Sequence, residues 1–221
     1  MISFYFNKKI LLFILEVRLG YYKHHHQTKV MKAALLVVDM TVEQVAALSA
    51  TRKKLIVDSI QQLSTTSSSS CNWTLKIDSR LWLNNNQEST LSSVYPEWGS
   101  TMGIPHSKGA DILPELKQNS HCELQFVAKK HYSCFVHSEL MDILKRAEIT
   151  HVFITGINTD YCIFNTAMDS FARGKFHTYV VEEAVGSISG MAGHNQALSW
   201  IRAHMGPDAV VSLTEAIKML S

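Results

Sequence analysis

The sequence predicts an α/β domain of three αβα layers around a mainly parallel sheet. Two observations carry that expectation. From residue 122 onward, short apolar runs alternate with stretches of helical period, the pattern of successive strand–helix units with right-handed crossovers. The run "AALLVVDM" (33–40) is apolar on both of its faces, as a strand covered by helices on each side must be.

The elements follow in order. Residues 50–63 place Leu55, Ile56, Ser59, Ile60 and Leu63 along one side of a helix. "STTSSSS" (64–70) is a loop by composition, and "WTLKIDSRLWL" (73–83) reads as the second strand. Residues 84–109 are polar, carry prolines and glycines, and form a long excursion, after which "DILPELK" (111–117) is a short helix. "CELQFVAKKHY" (122–132) holds a strand, and residues 138–147 form a helix with Leu140, Ile143, Leu144 and Ala147 on one face. "HVFITGI" (151–157) is a strand. Residues 159–173 form a helix with Phe164, Ala167, Met168 and Phe171 on one face, closed by Gly174. "HTYVVEEAV" (177–185) is a strand, 192–205 a helix, "AVVSL" (209–213) the last strand, and a short helix ends the chain.

The bulk numbers bound the function. A chain of 221 residues holds one ordinary domain, and 46% hydrophobic with 18% charged residues is a globular composition. "MKAALLVVDM" reads as the domain start, so residues 31–221 form the domain and residues 1–30 an extension. Within that extension, "KKILLFIL" (8–15) begins like a signal peptide, but Glu16 and Arg18 interrupt it and no small-x-small pattern follows. It is too short to span a membrane. A cytoplasmic protein with no membrane partner is expected. The net charge of +2 gives no electrostatic ground for a nucleic-acid partner. Cys71, Cys122, Cys134 and Cys162 form no C-x-x-C pair, which disfavours a zinc ribbon or thioredoxin-like site and favours reduced thiols. His24, His25 and His26 read as tail residues, and the Asn72-Trp73-Thr74 sequon as idle.

Ligands in such sheets bind beyond the carboxyl ends of the strands. The polar residues there are Asp39 after the first strand, Lys129 and Lys130 after the third, and Cys162 just past the fourth. A cysteine attacks as thiolate, and its free pKa is too high for neutral pH. The start of a helix, a nearby lysine and a carboxylate that accepts the proton each lower that barrier. Thr159 and Asp160 are plausible caps for the turn that carries Cys162. Free backbone N–H groups at the same turn could stabilise an oxyanion. The ensemble suits acyl transfer from an amide through a thioester.

These residues resemble the isochorismatase-like hydrolases, or cysteine hydrolases. "ALLVVDM" resembles the family's first strand ending in its catalytic aspartate, and "VAKKHYSCF" its motif of lysine, two residues, then Tyr-Ser-Ala-Phe. "TGINTDYCIFNTAMDSFARG" resembles its nucleophile motif. The resemblance implies Asp39, Lys129 and Cys162 as catalytic residues, a cis peptide between Ile157 and Asn158, and the N–H groups of Asn158 and Cys162 as the oxyanion hole. It also implies a homo-oligomer, dimer or tetramer, acting on a small molecule. Tyr132, Phe135 and Tyr161 flank the motifs and are candidate pocket walls. Where family members carry glutamine two residues after the aspartate, this chain has Thr41.

Nicotinamidases of the family hold a metal through an Asp-x-His pattern. Here "DSRLW" follows Asp78 with Arg80, so no metal and no cofactor are expected. Isochorismatases proper lack the cysteine. The expectation is a metal-independent amidase for a small amide, carbamoyl or ureido compound. The alternatives are a nicotinamidase, a non-catalytic binding protein on the same fold, and a redox-sensing thiol.

Overall fold

The computed structural model describes residues 31–65, 73–83, 90–95, 102–118 and 123–221. Cys71, Asn72, Trp98, Cys122, the three adjacent histidines and "KKILLFIL" lie outside them. The strands are β1 (Ala33–Val38), β2 (Trp73–Leu81), β3 (Gln125–Lys129), β4 (His151–Ile157), β5 (His177–Gly186) and β6 (Val210–Val211). They form one sheet in the order β3-β2-β1-β4-β5-β6. Every pairing is parallel, so the sheet is wholly rather than mainly so.

The helices are α1 (Ala50–Thr65), α2 (Thr90–Val94), α3 (Pro114–Gln118), α4 (Leu140–Arg146), α5 (Phe164–Ala172), α6 (Gly190–Met205) and α7 (Leu213–Leu220). All six residues of β1 are buried, as its unbroken apolar run requires. Ala34, Leu36 and Val38 share one cluster with Leu140, Ile143 and Leu144 of α4, Ala167 of α5, and Leu198 and Ile201 of α6. On the other side, α1 packs against β5, α3 and α7. Ser212 and Glu215 close a reciprocal capping box that starts α7.

Two helical stripes differ from their sequence reading. Leu55 is 41% exposed, and the buried stripe of α1 is Ile56, Val57, Ser59, Ile60 and Leu63. The stretch 159–173 is not one α-helix. Thr159–Ile163 form a π turn, in which the Ile163 N–H reaches the Asn158 carbonyl five residues back. The extra residue advances the following side chains by about 100°. The buried residues of this stretch are Thr159, Cys162, Ile163, Thr166, Ala167 and Ser170, and Phe171 is 47% exposed.

The chain runs outward from β1 through β2 to β3, then returns to lay β4 against the other side of β1. The carboxyl ends of β1 and β4 thus border the crevice where the connections diverge. Close approach of these strands depends on Gly156. Its φ is +105°, and a Cβ there would lie 2.0 Å from the Val38 carbonyl oxygen. The β4–β5 register also shifts between Ile154 and Gly156. Gly156→Ala should therefore cost about 3 kcal/mol or more, because the clash is with backbone that cannot rotate away. Urea unfolding measures this, and an unchanged midpoint would show that the two strands can separate freely.

Candidate active site

Asp39 lies one residue past β1 with φ +53°, a left-handed conformation that aspartate tolerates better than most residues. Its N–H donates to the Ser79 carbonyl at 2.9 Å. Its carboxylate, fully buried, accepts from the Leu81 N–H at 2.9 Å and the Gln44 side-chain amide at 3.3 Å, both at Oδ1. Oδ2 faces Lys129 Nζ at 2.7 Å.

Lys129 closes β3, two strands away from β1, and its side chain spans the width of β2. An ammonium has three protons to donate. Lys129 Nζ donates to the His131 carbonyl at 3.1 Å and to Cys162 Sγ at 3.3 Å, and it pairs with Asp39 Oδ2 at 2.7 Å. Cys162 sits in the π turn and is 4% exposed. The three sequence-selected side chains therefore meet at one point beyond the carboxyl ends of the strands. Lys129, not Lys130, makes the contact.

Burial, which opposes charge, would lower the Lys129 pKa, but the Asp39 carboxylate and the Cys162 sulfur outweigh it and the pKa is raised. Burial and the neighbouring Asp39 carboxylate push the Cys162 thiol well up, and Lys129 only partly opposes them. The resting centre is thus a buried ion pair beside a neutral thiol.

The Ile157–Asn158 peptide is cis, as the resemblance implied. Asn158 precedes the π turn, and its side-chain oxygen accepts from the Ile188 N–H at 3.0 Å. Thr159 and Asp160 do not cap the turn. Thr159 Oγ1 lies 2.8 Å from His194 Nδ1, and Asp160 accepts from Ser187 Oγ. Tyr132 and Tyr161 pair with ring centroids 5.5 Å apart and planes tilted by 46°. Tyr161 is 40% exposed, and Tyr132 is hydrogen-bonded to Tyr95. Phe135, which could be pocket wall or core by sequence, belongs to the core. It is 5% exposed, stacks on Phe176 at 6.4 Å and carries the Arg173 guanidinium over its face. Its neighbour Cys134 is, like Cys162, a free buried thiol.

Gln44 was not selected from sequence. It lies five residues past Asp39 rather than two, because the short 3₁₀ turn Gln44–Ala47 brings it back. Thr41, at the expected glutamine position, accepts from the Gln44 N–H and bridges to Ile112. Asp78 lies among other partners. Its Oδ2 pairs with Arg80 Nε at 3.2 Å, and Arg80 stacks over Phe126 and Trp82 and donates to the Ala110 carbonyl. Among the described residues no three His, Cys, Asp or Glu side chains converge.

Two outcomes follow from these charges. Lys129→Met should cost about 3–5 kcal/mol, because it leaves the Asp39 carboxylate buried and unpaired. The cost should shrink when Asp39→Asn is added, and additive losses in a double-mutant cycle would show that the pair is not coupled. Acid should also weaken the fold. Burial pushes His194 and His151 down to about 4. Their neutral forms stabilise fully above the unfolded value of about 6.5, and that contribution is lost as pH falls toward 4. Asp78, raised by burial to about 6, acts in the opposite sense over an overlapping range. Two groups outweigh one, so urea midpoints should fall between pH 6.5 and 4.5, and His151→Phe should flatten the fall.

Comparison with known proteins places this arrangement. The sequence matches the isochorismatase domain over residues 33–215. It is 30% identical over 108 residues to an uncharacterized isochorismatase family protein, PncA, of Bacillus subtilis, an alignment covering 47% of this chain and 58% of the relative. It is 43% identical over 63 residues to a nicotinamidase of Schizosaccharomyces pombe, covering 28% of this chain and 27% of that protein. The alignments thus span less than two thirds of either relative's length. The fold superposes on a cysteine hydrolase of Pseudomonas syringae pv. phaseolicola with a TM-score of 0.72 at 20% identity, covering 86% of this chain and 92% of the other. With its domain matched across nearly all of the described sheet, the chain belongs to the isochorismatase family of hydrolases.

Proposed function

We propose that the chain hydrolyses the C–N bond of a small amide, carbamoyl or ureido compound through a thioester on Cys162, without a metal. The observation that supports this most is the buried Lys129 ammonium held between Asp39 Oδ2 at 2.7 Å and Cys162 Sγ at 3.3 Å. Burial keeps the resting sulfur protonated, so the reaction needs a base, and Asp39 is the carboxylate beside it.

Asp39 takes the thiol proton as the sulfur attacks the carbonyl carbon. The carbonyl electrons move onto oxygen, and the N–H groups of Asn158 and Cys162 receive that oxyanion. Lys129 holds Asp39 in place and offsets the negative charge on the sulfur. Collapse re-forms the carbonyl and breaks the C–N bond, and Asp39 returns its proton to the leaving nitrogen. Water then gives a proton to Asp39 and attacks the thioester. The C–S bond breaks, the acid leaves, and the sulfur regains its proton. One water is consumed, and one acid and one ammonia or amine are formed. The tilted Tyr132–Tyr161 pair offers an aromatic wall to a flat substrate.

A second reading, nicotinamide as the substrate, draws on the 43% identity to the fission-yeast nicotinamidase over 63 residues. Asp78, tied to Arg80, stands against a metal-assisted form of it.

Ammonia release across a panel of small amides, carbamoyl and ureido compounds, nicotinamide included, tests the proposal. Cys162→Ala should abolish turnover. Asp39→Asn should lower it by about 10²–10⁴-fold, the usual cost of losing a general base. Lys129→Ala should do comparable damage, Lys130→Ala little, and the three severe losses should be far from additive. Wild-type release no faster than that of Cys162→Ala on every compound would leave the non-catalytic reading standing.

A further inference from the structure

A line of polar groups crosses from α1 through α6 to the nucleophile turn, and the catalytic steps above leave it unused. His194, 3% exposed, lies between Arg52 and Thr159. Arg52 Nη2 is 2.8 Å from His194 Nε2 and 3.4 Å from Nδ1, and it also donates to the Val185 carbonyl at 2.8 Å. On the other side, His194 Nδ1 is 2.8 Å from Thr159 Oγ1. Gly186 leaves room for this crossing: a Cβ there would lie 2.6 Å from Ile56 Cδ1 and 3.1 Å from Arg52 Nε.

The partners determine the proton's position. A guanidinium only donates, so the ring nitrogen nearest to it, Nε2, is the acceptor. The single proton of the neutral ring is then on Nδ1, and it is donated to Thr159 Oγ1. Burial first, then the Arg52 guanidinium, keep the ring neutral. Arg202 acts with Arg52, while Glu182 and Asp160 act against them.

Thr159 is the first residue of the π turn that carries Cys162, and it is fully buried. No side-chain cap fixes the start of that turn. Its orientation comes from outside it, through Thr159 to His194, Asp160 to Ser187 and Asn158 to Ile188. We propose that His194, held by Arg52 as the Nδ1–H tautomer, is a positioning residue that aims the backbone N–H groups of Asn158 and Cys162 at the substrate oxygen. This rests on the amide-hydrolase reading. A turn misplaced by 1 Å would cost about 10²-fold in rate while leaving the ion pair and thiol intact.

Thr159→Val removes the acceptor at nearly constant shape, and Thr159→Ser keeps it. In Thr159→Val, kcat for amide hydrolysis should fall about 10–100-fold with KM within about twofold, and Thr159→Ser should recover most of the loss. Alkylation of Cys162 by iodoacetamide displaces iodide and builds no oxyanion, so its rate should stay within about twofold in both variants. Hydrogen exchange at the Asn158 and Cys162 amides should quicken at least about tenfold in Thr159→Val. Nitrogen NMR of the wild-type His194 ring at pH 7 should show the proton on Nδ1. An unchanged kcat, an alkylation loss matching the kcat loss, unchanged amide exchange, or a proton on Nε2 each overturns the proposal. If the wild type hydrolyses no amide, the amidase reading fails by that control alone. Amide exchange and the ring spectrum then still decide whether His194 holds the turn.

Discussion

The structure depends on one constraint: two opposite charges, Asp39 and Lys129, are fully buried side by side. Desolvating each ion costs several kcal/mol, and their attraction offsets this only when the remaining donors and acceptors are also matched. Here Asp39 Oδ1 and the Lys129 ammonium have partners, and Oδ2 has the ion pair. β2 supplies the Leu81 N–H, the 3₁₀ turn supplies Gln44, the segment after β3 supplies the His131 carbonyl, and the π turn supplies Cys162. Parts of the chain far apart in sequence are thus held to one geometry by a pair that tolerates little displacement. The neutral thiol fits the same logic, because a second negative charge beside Asp39 would have one cation for two anions.

The topology makes the gathering possible. Because the chain reverses direction across the sheet between β3 and β4, the first and fourth strands become neighbours, and their ends face one crevice. Asp39 and the cysteine turn need only follow their strands to meet there. Lysine has the length to reach that crevice from β3, across β2, which a shorter cation at the same position would not.

What was legible in the sequence was whatever depends on local pattern. β4 falls on residues 151–157 as read, since a seven-residue apolar run between polar flanks has one good interpretation. Asp39, Lys129 and Cys162 could be found because strand ends in a parallel sheet share an edge. The phase of α5 could not, because a π turn adds one residue without any composition signal and turns Phe171 outward. Phe135 reads equally well as wall or core until Phe176 and Arg173 are seen around it. Gln44 was missed because a glutamine was sought at a fixed offset from the aspartate, and a different turn delivers it from another. Arg52, Thr159 and His194 are spread over three elements, and no spacing rule joins a surface-patterned arginine to a histidine 142 residues later.

The enclosure of Lys129 has a consequence for how such a protein diversifies. A cation surrounded by Asp39, the His131 carbonyl and Cys162 Sγ points into the protein and not toward its surface. A buried centre of this kind carries little information about which molecule lies outside it. The groups that a solute meets first are exposed ones such as Tyr161 and Ile188. Chemistry and choice are physically separable here. Surface side chains can be exchanged while the buried charges below them stay unchanged.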